Sequence, residues 1–213
     1  ARDSNIRRFI FAASSSTYGD NTDLPKKEDN IGRPLSPYAL TKYVNELYAD
    51  VFAKTYGIEY IGLRYFNVFG RRQDPNSMYA AVIPLFIKQF LNHKQPKING
   101  DGLNTRDFTY IDNVLHMNML ALNTTNTQAV NQIYNTAGGG RTSINKLANE
   151  IKSCLVQYDF SISDINPIYG AYRLGDIPHS FASIDKAKQL LGYSPLVSFQ
   201  EGLNETVKWY VNN

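Results

Sequence analysis

The stretch "SPYALTKYVNELYADVFAKTYGIEYIGLRYFNVFG", Ser36 to Gly70, decides the fold. Ser36 is a natural N-cap, Pro37 suits the first helical position, and Gly57 can close the far end. Leu40, Val44, Leu47 and Val51 recur at helical spacing, which predicts a packed stripe. The β-branched and aromatic run after Gly57 reads as a strand, and a second apolar strand, Arg8 to Ala13, lies upstream. A strand, helix, strand unit with nearly continuous apolar strands suits a parallel sheet covered on both faces.

Beyond Gly70 the pattern changes. "PLFIKQFLNHK" predicts a helix, "KINGDGLNTRDFTYI" a pair of extended segments joined near Asp101-Gly102, and "DNVLHMNMLALN" a helix capped by Asp112. The strand "QIYNTA" leads through glycines to a helix starting at Thr142 or Ser143, with Ile144, Leu147, Ile151 and Leu155 on its stripe. Asp185 can cap "KAKQLLG", and Ser198 with Glu201 forms a capping box for a last helix carrying Leu203, Val207 and Tyr210. The order predicts an α/β fold: a partial doubly wound parallel sheet followed by a smaller α+β part. The expected boundary falls at residue 70, giving parts 1–70 and 71–213, with some later segments returning to the sheet.

The composition excludes several classes. With 213 residues and 43% apolar content the chain can bury a sizeable core. No apolar run approaches the roughly 20 residues of a membrane span, and the start lacks the long apolar segment of a signal peptide. A single cysteine, Cys154, fits a cytoplasmic location and reads as a core residue of its helix. Lys and Arg exceed Asp and Glu by 22 to 19 and are scattered, which argues against a nucleic-acid partner. His93, His116 and His179 are separated, so no metal site is expected. "AGGGRTS" lacks the spacing of a phosphate loop and reads as a strand-to-helix turn.

The chemistry gathers at the upstream strand and the helix. The strand stops abruptly at Ser14, Ser15 and Ser16. Tyr38 and Lys42 stand four residues apart on one helix face. A tyrosine with an ordinary pKa near about 10 is a poor base at neutral pH, and a neighbouring ammonium favours its phenolate. Tyr-x3-Lys recurs by chance, and alone it reads as a surface pair. Ligands of open α/β sheets bind at the carboxyl ends of strands, however, where the three serines sit, so the hydroxyls and the pair can share one crevice.

"SSSTYG", "YALTK" and "LRYFNVFGRRQDP", followed by "NGDG", "TRDFTYI", "GGRTS" and "YRLGDIPHSFASIDKAKQLLGY", resemble the extended short-chain dehydrogenase/reductase superfamily. Within it the chain is most similar to the nucleotide-sugar epimerases, specifically the UDP-N-acetylglucosamine 4-epimerases of bacterial surface-polysaccharide pathways. The resemblance implies a Rossmann-like first part, a UDP-sugar-binding second part, tightly held NAD, and 4-epimerisation of UDP-N-acetylhexosamines through a 4-keto sugar. By that resemblance Tyr38 takes the proton of the sugar 4-hydroxyl, Lys42 holds ribose hydroxyls, and Ser15, flanked by Ser14 and Ser16, bonds the 4-oxygen. Tyr65 is implied near the nicotinamide and Asn67 near the diphosphate, while Ala81, Val82, Lys97, Asn99, Arg106, Arg173 and Asp176 match positions that cradle UDP. Ser180 matches a position beside the sugar's C2 substituent, where a small residue goes with room for an N-acetyl group.

One departure is plain. No G-x-G-x-x-G follows a strand in these 213 residues, although that loop normally holds the dinucleotide pyrophosphate. The chain therefore resembles the C-terminal part of a longer epimerase, and by itself is expected to bind NAD poorly and to show little activity. Two other readings stay open: a nucleotide-sugar dehydratase or decarboxylase, for which the turn Ser16-Thr17-Tyr18 lacks the expected carboxylate, and a non-catalytic UDP-sugar-binding fragment. The aromatics Tyr43, Tyr48 and Phe52 lie outside the main helix stripe, which with the resemblance implies a homodimer of the complete enzyme.

Overall fold

A computed structural model describes residues 1–76, 81–173 and 177–213. In chain order the regular elements are β1 (Arg8–Ser14), α1 (Pro37–Tyr56), β2 (Glu59–Tyr65), β3 (Val68–Phe69), α2 (Val82–Leu91), β4 (Lys97–Asn99), β5 (Thr105–Arg106) and β6 (Thr109–Tyr110). They continue with α3 (Ile111–Asn123), β7 (Gln132–Thr136), β8 (Thr142–Ser143), α4 (Ile144–Val156), β9 (Ile168–Gly170), α5 (Asp185–Leu191) and α6 (Phe199–Val211). The main sheet is parallel in the order β1-β2-β7. Its register sets Ser14 opposite Tyr65 and Tyr65 opposite Thr136, so the three carboxyl ends finish in one row.

Local chemistry fixes the ends of α1. The Ser36 hydroxyl accepts the Ala39 N–H at 3.1 Å, and Gly57, at φ 70°, closes the other end with its N–H on the Ala53 carbonyl at 2.9 Å. The packed face is not the expected one. Leu40, Leu47 and Val51 are 52%, 48% and 55% exposed. The covered stripe is Ala39, Tyr43, Glu46, Asp50 and Ala53, also at helical spacing. Its centre is an ion pair: Glu46 accepts two bonds from Arg64 of β2, at 2.9 and 2.7 Å, with both side chains buried. A guanidinium inside the sheet needs a carboxylate, and this sets the rotation of the helix more firmly than its leucines do.

Other expectations are corrected in the same way. β1 runs one residue further, to Ser14. The extended segments around Asp101-Gly102 do not pair with each other: β4 joins β9 in parallel and β5 joins β8 antiparallel. Tyr110 is the N-cap residue of α3, and Asp112 lies in its first turn, 3.7 Å from Arg71. Ile184 precedes α5, whose first residue is Asp185. The capping box of Ser198 and Glu201 is present.

Two apolar clusters hold the elements together. One lies on the main sheet and joins Ile61, Leu63 and Tyr134 to Met117 and Ala121 of α3 and to Ala187 and Leu191 of α5. The other is built by α2, α4 and α6 through Phe86, Phe90, Leu147, Ile151, Leu155, Leu203 and Val207, and includes Cys154. β1 has a neighbour on one side only among the described residues. Beside it Phe9 and Phe11 stack at 5.9 Å and line, with Tyr48, Phe52 and Tyr60, an apolar groove of ≈ 710 Å³. Among the described residues no helix is long and apolar enough to cross a membrane.

Candidate active site

The serine turn is built as a cap. Ser14 Oγ accepts the Ser16 N–H at 3.2 Å and the Ser16 hydroxyl at 2.9 Å, and Ser14 is buried. Its hydroxyl therefore supports the turn and does not line the crevice, against the expectation of three serines facing it. Ser15 and Ser16 line a cavity of ≈ 230 Å³, with Ser180 and His179 from a distant loop and with Asn67 and Arg106.

A second cavity of ≈ 280 Å³ lies beyond Asn67 and Arg106, which belong to both. Ala81 and Val82 at the start of α2, Lys97 and Asn99 on β4, and Arg173 just past β9 line it. Alternation along β4 explains the placement: Ile98 enters the core, which turns its neighbours outward. The β4 and β9 pairing brings Arg173 to the same place although 70-odd residues separate them. Seven residues named from the resemblance are thus gathered in one cleft. Asp176 lies outside the described residues.

Tyr38, Lys42 and Tyr65 line neither cavity. Tyr38 projects from the first turn of α1 and is 57% exposed. Lys42 donates to the Ala12 carbonyl of β1 at 3.0 Å, and its ammonium lies 5.8 Å from the centre of the Tyr38 ring. The pair therefore stands beside the strand end that leads into the serine turn. Tyr65 shares a hydrogen bond with the Asn118 side chain, and burial raises its pKa.

Asp107 ties the cleft together. Its Oδ1 accepts the N–H groups of Gly138 and Gly139 at 3.0 and 3.1 Å, and its Oδ2 that of Ala182 at 3.3 Å. Its own carbonyl accepts from Asn67 Nδ2 at 2.9 Å. Gly138 has no room for a side chain, since a Cβ there would lie 2.5 Å from the Phe108 carbonyl oxygen. "AGGGRTS" is thus a strand-to-helix turn wrapped on a carboxylate.

Burial pushes the Asp107 pKa up to about 7, with the backbone N–H donors opposing it. A raised carboxyl pKa makes its contribution to stability fullest below pH 4, and that contribution falls as pH rises to about 7. Urea unfolding of Asp107→Asn, compared with the parent at pH 5 and pH 7.5, is expected to show the parent's advantage shrinking at the higher pH by ~1–3 kcal/mol. An advantage that is equal at both pH values would remove Asp107 as the source.

The cavity wall also holds residues without assigned roles in the sequence reading. The Tyr18 hydroxyl donates to Asn135 Oδ1 at 2.6 Å, and burial lifts its pKa to about 12. His179 places Nδ1 3.0 Å from Thr105 Oγ1. Lys26 is almost fully buried on the same wall. A lysine in the polar loop "DLPKKEDN" carries no pattern that would mark it.

The NAD dependent epimerase/dehydratase family matches residues 1–137. The chain belongs to this family. Among solved structures, the UDP-N-acetylglucosamine 4-epimerase of Methanobrevibacter ruminantium, in complex with UDP-N-acetylmuramic acid, is 42% identical with a TM-score of 0.90. The match covers 99% of this chain and 65% of that one. The UDP-glucose 4-epimerase of Thermotoga maritima, with UDP-glucose, is 36% identical at a TM-score of 0.90, covering 99% and 65%. The UDP-glucuronic acid 4-epimerase of Bacillus cereus, with UDP-glucuronic acid and NAD, is 33% identical at 0.85, covering 96% and 62%. This epimerase-family chain, a partial Rossmann-like α/β fold, spans no more than 65% of the length of these relatives.

Proposed function

We propose that this family member is the substrate-binding and acid/base portion of an NAD-dependent UDP-N-acetylhexosamine 4-epimerase. The observation that carries the reading is the pair of cavities joined at Asn67 and Arg106. The larger would take the uridine and ribose, with Lys97, Asn99 and Arg173 as polar partners. The smaller, under Ser15, Ser16 and Ser180, would take the sugar. Arg106 at the junction suits the diphosphate.

NAD fits at its nicotinamide-ribose end, where Tyr38 is exposed and Lys42, fixed on the Ala12 carbonyl, has further N–H groups to offer. When bound it supplies the hydride acceptor and donor at the sugar's C4. Tyr38 accepts the 4-hydroxyl proton as the ketone forms, and Ser15 holds the 4-oxygen. The sugar turns about its link to the diphosphate, which Asn67 and Arg106 retain. Tyr38 then returns the proton to the new 4-oxygen. The net change is inversion at C4, with no net oxidation. Among the described residues no carboxylate lines the sugar cavity, which favours epimerisation over elimination.

Ser180 tests the substrate. Its N–H donates to the Thr105 carbonyl at 2.9 Å, and its side chain borders the sugar cavity. Ser180→Tyr in an NAD-binding form of the enzyme is expected to slow interconversion of UDP-N-acetylglucosamine and UDP-N-acetylgalactosamine about tenfold or more, because overfilling a packed site costs roughly 1–3 kcal/mol. UDP-glucose and UDP-galactose should be spared. Equal losses for both pairs, measured by separating the nucleotide sugars, would sink the N-acetyl assignment.

A further inference from the structure

Asp107 is fully buried between β5 and β6, and its bonds reach three parts of the cleft. Its carbonyl holds Asn67, at the junction of the two cavities. Its Oδ1 takes two N–H groups of the turn after β7, and its Oδ2 takes the Ala182 N–H. Ala182 is buried two residues past Ser180, in the segment that brings His179 and Ser180 to the sugar cavity. Main-chain bonds fasten that segment on either side. The Thr105 N–H donates to the Pro178 carbonyl and the Ser180 N–H to the Thr105 carbonyl, both at 2.9 Å. Further on, the Lys26 N–H donates to the Phe181 carbonyl at 2.7 Å and the Ser183 N–H to the Lys26 carbonyl at 3.0 Å. Between these fastenings the Asp107 carboxyl makes a contact whose strength a proton can change.

The two carboxyl oxygens differ. Oδ1 takes two donors at 3.0 and 3.1 Å and Oδ2 takes Ala182 at 3.3 Å, so the proton of neutral Asp107 belongs on Oδ2. There its O–H and the Ala182 N–H are two donors set against each other. Once ionised, Oδ2 accepts that N–H in a charge-assisted bond and draws Ala182 inward. Burial brings this change to about pH 7. The other charged or titratable groups on the segments packed around Asp107 have bonds of their own. Arg106 donates to the Thr105 and Pro178 carbonyls, while Arg141 Nη2 and His179 Nδ1 lie 3.4 and 3.0 Å from Thr105 Oγ1. The Lys26 ammonium donates to Asn21, and Asp185 accepts from the Ser183 hydroxyl at 2.8 Å. Tyr193 donates to the Ala137 carbonyl at 2.9 Å, and burial, with the charge of Asp107 adding to it, raises its pKa, so it stays neutral near pH 7.

We propose that Asp107 is a positioning residue for the sugar: its ionised carboxylate holds Ala182, and through it the wall bearing His179 and Ser180, in the arrangement that closes on a bound nucleotide-linked hexose. The nucleotide side is not part of this response, because Asn67 rests on the Asp107 carbonyl and not on its carboxyl. The proposal rests on the reading of the two cavities as a UDP-sugar site.

Calorimetric titration from pH 6 to pH 8 tests it, with UDP-N-acetylglucosamine and with the β-methyl ester of UDP, which carries the same diphosphate charge and no sugar. Relative to the methyl ester, the sugar nucleotide should gain about threefold to tenfold in affinity as pH rises through about 7. Asp107→Asn, which cannot ionise, should remove that gain. His179→Gln should keep it, whatever it does to the absolute affinity, which assigns the gain to the carboxyl and not to the imidazole. If Asp107→Asn does not fold, the parent and His179→Gln still decide. No gain in the parent, a gain that survives in folded Asp107→Asn, or one that disappears in His179→Gln overturns the proposal while binding of the methyl ester leaves the site reading intact. Failure of the methyl ester to bind at any pH would overturn both.

Discussion

Tyr38→Phe, in a form of the enzyme that binds NAD, is expected to lower the epimerisation rate by about 10² to 10⁴, the range of a positioned general acid/base. The ring stays, so α1 keeps its packing. The hydroxyl goes, and with it the group proposed to take the 4-hydroxyl proton. Because Tyr38 is exposed on the first turn while Ala39 and Glu46 are the buried residues of α1, and Glu46 is the one bonded to Arg64 of the sheet, the substitution leaves the helix seat untouched. Loss should therefore appear in kcat, with UDP affinity unchanged, because UDP would bind at the cavity of Lys97, Asn99 and Arg173. A variant that keeps activity within a factor of two of the parent would take Tyr38 out of the mechanism.

Glu46→Ala is expected to destabilise the fold by about 3–5 kcal/mol, the cost of leaving one partner of a buried ion pair uncompensated. Arg64 would retain the Glu28 carbonyl at 2.9 Å and the face of Tyr18, 4.8 Å away, but neither neutralises its charge. The double variant Glu46→Met with Arg64→Met should recover much of the loss, since apolar groups of similar size relieve both desolvation costs. Urea unfolding of the single and double variants measures this. If Glu46→Ala costs under about 1 kcal/mol, the pair does not seat the helix.

The same pair marks where the sequence stopped being legible. Ser36, Pro37 and Gly57 carry their own backbone chemistry, so the ends of α1 could be read directly. The direction it faces could not: periodicity counts leucines, and here a covered glutamate answers an arginine on a strand 18 residues away. The serine turn was legible as a strand end, whereas Ser14's use as its cap needed coordinates. For the nucleotide cavity, residue types alone give no hint that β4 pairs with β9. Lys97 and Arg173 were named together through resemblance, and only the pairing supplies the physical reason for their meeting. Lys26 had no signal, because its burial is created by contacts to residues 135, 181 and 183.

The outer side of β1 bears on how the chain behaves as a material. β1, seven residues long, has no described strand on its outer side, which lies beside the groove of Phe9, Phe11 and Tyr60. Such an edge can accept another strand, and apolar side chains beside it reward the addition. A net charge of +3 spread over the whole surface offers little repulsion at that spot. Charges placed beside that edge are expected to oppose such pairing more than the same charges placed elsewhere.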